Sequence, residues 1–313
     1  MIVTVTANPS VDRTIEVERL VAGDVLRALS GRVDAGGKGV NVARALAANG
    51  HKATAVVVSG GAEGAHLRAL LHDLTDLQVR VVGISGALRS NITVVEADGT
   101  TTKLNEAGPT LSAPELDALA AATVEAAGDA DWVVLSGSLP PGSPPGWYAE
   151  LVAALRPTGC LVAVDSSGPA LAAAVPAGPD LVTPNREETA ELVGRAIRTA
   201  DDAASAARLL LDKGARSVLV TLGADGAVLA DGTGCWHASA PAVTTRSSVG
   251  AGDALLAGFL ASGAAGSPAL AEAVAWGSAA AGLPGSRMPT PADIDRTGVR
   301  ITHLDTTHGK AAT

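Results

Sequence analysis

GVNVARALAANGHKATAVVVSG, residues 39–60, changes its periodicity halfway along. In its first half the apolar positions Val40, Ala43 and Ala47 recur at helical spacing, and Gly50 supplies a stop. In its second half, residues 53–60 form a continuous apolar run, as in a parallel strand covered on both faces. A helix that feeds such a strand is the repeating unit of an α/β fold. The same alternation extends outward. Residues 1–7 (MIVTVTA) read as a strand and 63–74 as a helix. A helix opens at a capping box formed by Ser112 and Glu115. Short strands at 131–138, 160–165, 180–184 and 217–223 are separated by helical stretches, one of them near 147–156. Residues 226–231 and 234–240 read as a late hairpin, and 252–263 and 269–282 as helices. The pattern predicts an α/β fold: a mostly parallel sheet with helices on both faces. Ligands of such sheets bind outside the carboxyl ends of the strands.

Two stretches, about 14–35 and 79–106, interrupt the alternation. Both read as strands without helix, the second with a hairpin turn at Asp98-Gly99. They predict a small β subdomain on a single domain covering 1–304, with 305–313 as a frayed, disordered tail.

Of the 313 residues, 47% are hydrophobic and only 2% aromatic, so the core is aliphatic. The net charge of −9 and the scarcity of aromatic rings argue against nucleic acid as a partner. Two distant cysteines, Cys160 and Cys235, and six histidines form no disulfide or zinc pattern. The first ten residues lack the positive region of a signal peptide, and no apolar run is long enough for a membrane span. A cytoplasmic protein without membrane contact is expected.

Several stretches could carry chemistry. DAGGKGVN (34–41) looks like a phosphate loop, but Gly37 stands where a P-loop needs its lysine, and Gly39 follows Lys38 in place of a hydroxyl residue. What remains is a glycine turn into a helix, open to close approach by a ligand or simply a tight turn. In SSVGAGDALLAGFL (247–260), free amides at Gly250, Ala251 and Gly252 stand beside Asp253 where a loop becomes a helix. That pairs an anion hole with a carboxylate base, as phosphoryl transfer to a hydroxyl requires. An Asp that complements the helix dipole explains the same residues. Asn185 and Glu188 at a helix start suit an indirect Mg²⁺ site or, equally, a cap. Thr221, Gly223 and Gly226 at a strand end suit a nucleotide phosphate or a plain turn. Arg89 and Asn91 on the expected β subdomain, and Asn8 and Asp12 after the first strand, offer a phosphate ligand and hydroxyl acceptors. No GxSxG elbow supports a hydrolase, and no GxGxxG follows the first strand as a dinucleotide-dependent oxidoreductase would need.

In their fixed order, Asp12, GGKGVN (36–41), Arg89-Ser90-Asn91, SGSLPPG (136–142), DSSG (165–168), TPNREE (183–188), TLGADGA (221–227) and VGAGD (249–253) resemble the ribokinase/PfkB-type carbohydrate kinases. The resemblance covers about residues 1–290. TANPSVD (6–12), AGGKGVNVAR (35–44) and KLNEAGP (103–109) look most like its 1-phosphofructokinase and tagatose-6-phosphate kinase branches. It implies a ribokinase-like α/β domain whose lid serves a homodimer contact. It also implies transfer of the ATP γ-phosphate to O6 of D-fructose 1-phosphate, with ATP and Mg²⁺ and with room for a monovalent cation. Tagatose 6-phosphate and fructose 6-phosphate are the rival acceptors, and a non-catalytic sugar-phosphate sensor is the rival of another class. By the resemblance, Asp253 is the base and the Gly250, Ala251 and Gly252 amides are the anion hole. Asp12, Gly36, Gly37 and Asn41 bind the sugar, and Lys38, Arg89 and Asn91 hold its phosphate. Thr221, Gly223, Gly226 and Asn185 border ATP, while Asn185 and Glu188 organise Mg²⁺ through water. Thr183 departs from the family, which commonly carries Lys there; Lys103 on the lid is the substitute cation considered.

Overall fold

The structure is a computed structural model that describes residues 1–72 and 74–304. In chain order its elements are β1 (Ile2–Thr6), β2 (Ser10–Val17), β3 (Ser30–Gly36), α1 (Lys38–Ala48), β4 (Ala53–Ser59), α2 (Gly61–His72), β5 (Leu77–Gly83), β6 (Arg89–Glu96) and β7 (Thr101–Asn105). There follow α3 (Ala113–Ala126), β8 (Trp132–Ser136), α4 (Trp147–Leu155), β9 (Leu161–Asp165), α5 (Gly168–Ala174), β10 (Leu181–Val182), α6 (Arg186–Val193) and α7 (Ala200–Asp212). The chain ends with β11 (Ser217–Thr221), β12 (Ala227–Asp231), β13 (Gly234–Ser239), α8 (Ala251–Ala261), α9 (Gly266–Ala281) and β14 (Arg300–His303).

Among the described residues the larger sheet has ten strands in the order β14-β13-β12-β11-β10-β9-β8-β1-β4-β5. The seven strands from β11 to β5 are parallel, and β12, β13 and β14 add an antiparallel edge. Strand β1 is buried along its length, as the unbroken apolar run of a doubly covered parallel strand requires. In register, Val5 lies between Val56 and Leu135, all three without solvent exposure. From β1 the order runs to β4 on one side and β8 on the other, so the topological switch point lies beside β1. Residues just past β1, β9, β10 and β11 therefore emerge on one side of the sheet. Among the described residues no helix is long and apolar enough to cross a membrane.

The second sheet has the order β3-β2-β6-β7, with β2 and β6 parallel. Its strands correct the expected lid boundaries. Residues 77–83 pair with β4 from Ala53↔Leu77 to Ser59↔Gly83 and so belong to the edge of the larger sheet. The edge strand β5 and the lid strands β6 and β7 are all largely exposed or half-buried, so periodicity alone does not separate them. The first lid strand starts at Ser10 and not at 14, and residues 18–29 between β2 and β3 form no strand. β14 was not anticipated. The expected disordered tail, 305–313, lies outside the described residues.

Candidate active site

A cavity of about 800 Å³ opens at the carboxyl ends of the parallel strands, between the larger sheet and the lid. It gathers Asp12, Gly37, Lys38, Asn41, Arg89, Asn91, Asn185, Glu188, Thr221, Gly223, Gly226 and the 250–253 turn, residues far apart in sequence. Of the residues singled out above, Asn8, Gly36 and Lys103 lie outside its wall. Gly36 is absent from the wall, and a Cβ there would overlap the Asp12 carboxylate, so it makes room for Asp12. Lys103 is exposed on β7 and away from the wall, so it does not replace the cation missing at Thr183. Thr183 lines the cavity, and its buried Oγ1 has no hydrogen-bond partner.

On the lid side, parallel pairing of β2 and β6 sets Ser10 opposite Arg89 and Asp12 opposite Asn91. Alternation along each strand puts all four on one face. Asp12 Oδ1 accepts from Ser10 Oγ at 2.7 Å and from Asn91 Nδ2 at 2.9 Å. Arg89 donates through Nη2 to Asn8 O at 2.9 Å and through Nη1 to Glu106 O at 3.1 Å, while its Nε is buried and unpartnered. The Asn91 Oδ1 is likewise buried and unpartnered. Buried polar atoms normally have partners, and these two lie on residues of the cavity wall.

Helices α1 and α8 both aim their N-termini at the cavity. Each starts after a glycine with positive φ, Gly37 (118°) and Gly250 (78°). A Cβ on Gly37 would approach Thr6 Cγ2 to 2.8 Å, so the turn demands glycine for space as well as conformation. The amides of the first turn of α8 have no intrahelical acceptors and are free for an anion. In that turn Asp253 is 7% exposed, and its Oδ2 accepts from Asn41 Nδ2 at 2.8 Å. Burial, with the Asp165 charge nearby, pushes the Asp253 carboxyl up to about 7, while Lys38 and Asn41 work in the opposite direction.

Lys38 lines the cavity and has carboxylate neighbours that its sequence context does not announce. Its Nζ pairs with Asp165 Oδ1 at 2.8 Å and lies 3.7 Å from Glu188 Oε1. Burial opposes its charge, but the carboxylates of Asp165, Glu188 and Asp253 outweigh that and raise its pKa. With Lys38 so engaged, Arg89 is the cation of the lid side. Asp165 ends β9 inside DSSG and was assigned no role from sequence; its position at the carboxyl end of a parallel strand was the available signal. Arg44, three residues after Asn41 on α1, was also missed; its helical spacing from Asn41 was the available signal.

Asn185 and Glu188 form a reciprocal capping box: Asn185 Oδ1 accepts from the Glu188 amide and Glu188 Oε2 from the Asn185 amide, both at 2.8 Å. The cap reading of this pair therefore holds, whatever else it does. Burial pushes the Glu188 carboxyl up, and Lys38 partly offsets that. Among the described residues no group of three or more His, Cys, Asp or Glu forms a metal cage. Glu188 Oε1 and Asp165 still present anionic oxygens to the cavity, which fits an Mg²⁺ ion that keeps most of its waters. Gly226 has a packing reason, since a Cβ there would collide with Ala238 O in the neighbouring strand. Asn185→Ala is expected to lower unfolding stability by about 1 kcal/mol through loss of the cap. Equilibrium denaturation checks this, and an unchanged midpoint would remove the structural role.

Comparison with known proteins agrees with the geometry. Residues 5–288 match the family described as pfkB family carbohydrate kinase. A 1-phosphofructokinase of Rhodobacter capsulatus is 43% identical over 263 residues, covering 83% of this chain and 82% of that protein. A 1-phosphofructokinase of Haloferax volcanii is 37% identical over 312 residues, covering 98% and 100%. The crystal structure of phosphofructokinase-2 from Escherichia coli in complex with potassium superposes with a TM-score of 0.87 at 36% identity, covering 93% of this chain and 96% of that one. With a ribokinase-like fold, its small second sheet and the GAGD turn at the sheet's carboxyl edge, the chain belongs to the pfkB family of carbohydrate kinases.

Proposed function

We propose that the protein is a 1-phosphofructokinase, which transfers the γ-phosphoryl group of ATP to O6 of D-fructose 1-phosphate and yields fructose 1,6-bisphosphate and ADP. The observation that carries this reading is the buried Asp253 at the head of α8, beside the free amides of Gly250, Ala251 and Gly252. A non-catalytic sensor would need no such base. The 1-phosphofructokinases among its relatives support the acceptor.

In this reading Asp253 takes the proton of the O6 hydroxyl as the new O–P bond forms. The bond from the γ-phosphorus to the bridging oxygen breaks, and ADP leaves. The amides of Gly250, Ala251 and Gly252 receive the charge on the transferred group. Asp12, held by Ser10 and Asn91, orients sugar hydroxyls, and the open Nε of Arg89 meets the phosphate that the substrate brings. Thr221 and Gly223 border the nucleotide phosphates. Glu188, through water, would hold Mg²⁺, which neutralises charge on the β- and γ-phosphates when bound. Asn185 serves that site by fixing Glu188. The potassium bound by the Escherichia coli relative supports a monovalent cation here. The lid face opposite the cavity carries Ile15, Ile92, Val94 and Leu104, the last 58% exposed, which supports a homodimer formed through the lid.

A coupled assay with ATP across fructose 1-phosphate, fructose 6-phosphate and tagatose 6-phosphate is expected to give the highest kcat/KM for fructose 1-phosphate. A higher value for either 6-phosphate would sink the acceptor assignment.

Because the base works ionised and titrates near 7, kcat/KM is expected to fall as the pH drops through about 7. Asp165→Asn removes the like charge and should move that limb to lower pH. Asp253→Asn should reduce kcat by about a thousandfold or more with sugar-phosphate binding preserved. Retention of over a tenth of kcat would exclude Asp253 as base.

Arg89→Ala is expected to raise KM for the sugar phosphate by about tenfold or more, with a smaller effect on kcat. An unchanged KM would take Arg89 out of the phosphate site.

A further inference from the structure

A line of polar contacts runs from lid strand β3 to Asp253, and the chemistry above makes no use of it. Arg44 follows Asn41 by three residues on α1, so the two share a face of the helix. The Nη1 of Arg44 donates to Ala35 O at 3.0 Å and to Asn41 Oδ1 at 3.3 Å. Asn41 in turn donates to Asp253. On its other side Arg44 Nη2 lies 4.0 Å from Asp34 Oδ1, and Asp34 Oδ2 receives Arg32 Nε at 2.7 Å. Asp34 and Ala35 belong to β3 and Asp253 to α8. The Arg44 side chain is only 16% exposed. A guanidinium is costly to bury unless its donors are matched, so its partners here are specific.

The amide of Asn41 has two orientations of nearly equal shape and opposite chemistry. With the NH₂ group towards Asp253 it stabilises a carboxylate; with the oxygen there it repels one. A guanidinium only donates, so Arg44 accepts only the orientation that turns Oδ1 towards itself and the NH₂ towards Asp253. The same guanidinium grips the β3 backbone at Ala35.

We propose that Arg44 is a positioning residue that locks the Asn41 amide against Asp253 and, through Ala35 and Asp34, makes the aim of the base depend on the seating of the lid strand. The proposal rests on the reading of Asp253 as the base. The charged groups facing Asp253 are Lys38 and Arg44 from α1, Asp165 from the end of β9 and Asp12 from β2. The two cations favour its ionised form and the two carboxylates oppose it. Loss of Arg44 removes one cation and frees the amide to turn, and both effects move the titration of Asp253 upward.

The test is a double-mutant cycle on the full chain with Arg44→Met, Asn41→Ala and the pair, alongside Asp253→Asn. Arg44→Met is expected to lower kcat about tenfold, the loss of one oriented hydrogen bond to a charged group. It should also shift the acid limb of kcat/KM to higher pH and leave KM for the sugar phosphate within about twofold. In the presence of Asn41→Ala, Arg44→Met should cost less than about twofold further. An equal cost in both backgrounds, or an unmoved acid limb, overturns the proposal, because a merely structural Arg44 would act independently of Asn41. Arg44→Lys keeps the charge but cannot span both acceptors. It should restore most of the pH limb and little of kcat, and it carries the same cycle if Arg44→Met does not fold. A still-active Asp253→Asn would instead overturn the base reading, so the two failures are distinguishable.

Discussion

The hydrogen bond from Asn41 Nδ2 to Asp253 Oδ2, 2.8 Å long, closes a gap of 212 residues and joins the first turn of α1 to the first turn of α8. Both helices bring the positive ends of their dipoles to the same cavity. Without such compensation a carboxylate as deeply buried as Asp253 would stay protonated at neutral pH. A hydrogen bond to a charged group is worth about 1.5–3 kcal/mol, and a tenfold change in ionisation about 1.4 kcal/mol. One correctly turned amide is therefore enough to shift Asp253 by about one to two pH units, which decides whether it is a base or an acid near pH 7.

That bond has consequences for the architecture around it. Asp165 and Glu188 crowd the same interior, and Lys38 is drawn to them. The lid must meet a similar demand for register. Ser10 and Asp12 face the cavity beside Arg89 and Asn91 only because β2 and β6 pair in this alignment. A slip of one residue would bring Ile92 and Val94 to the polar face and send Arg89 and Asn91 away from it.

Much of this was legible from residue patterns because it is local. The apolar run at 53–60 identified a doubly covered strand, the Ser112–Glu115 box opened α3, and GAGD marked a helix start beside a carboxylate. Contacts between distant segments were not legible. Lys38 pairs with Asp165 across 127 residues, and nothing near either one announces it. The lysine of a glycine turn looks like a phosphate ligand, and only the fold brings its carboxylate partner to it. The 77–83 strand and the lid strands likewise differ in which neighbour they meet, not in pattern. Arg44 needed the third dimension too: helical spacing links it to Asn41, but the proximity of β3 gives that link its use.

The distribution of charge in the cavity bears on how a chain of net charge −9 receives two anionic substrates. Asp12, Asp165, Glu187, Glu188 and Asp253 outnumber the cations Lys38, Arg89 and Arg186 on its wall. Attraction by net charge is therefore a weak candidate for the binding force. Fixed donors remain: the amides at the heads of α1 and α8, and an Arg89 Nε that lacks a partner. Such donors act on a phosphate oxygen within hydrogen-bond range and fall off quickly beyond it. Recognition then depends on where the phosphate sits relative to the reacting hydroxyl. In the proposed reading, the acidic cluster of Asp165 and Glu188 lies apart in function from the lid's Arg89, since it opposes free anions and suits a phosphate chain already paired with a divalent cation. Segregation of this kind gives the acceptor and the donor different electrostatic requirements within one cavity. It follows that the burial that raises the Asp253 pKa also sharpens every donor around it, because each acts in a medium with little water to screen it.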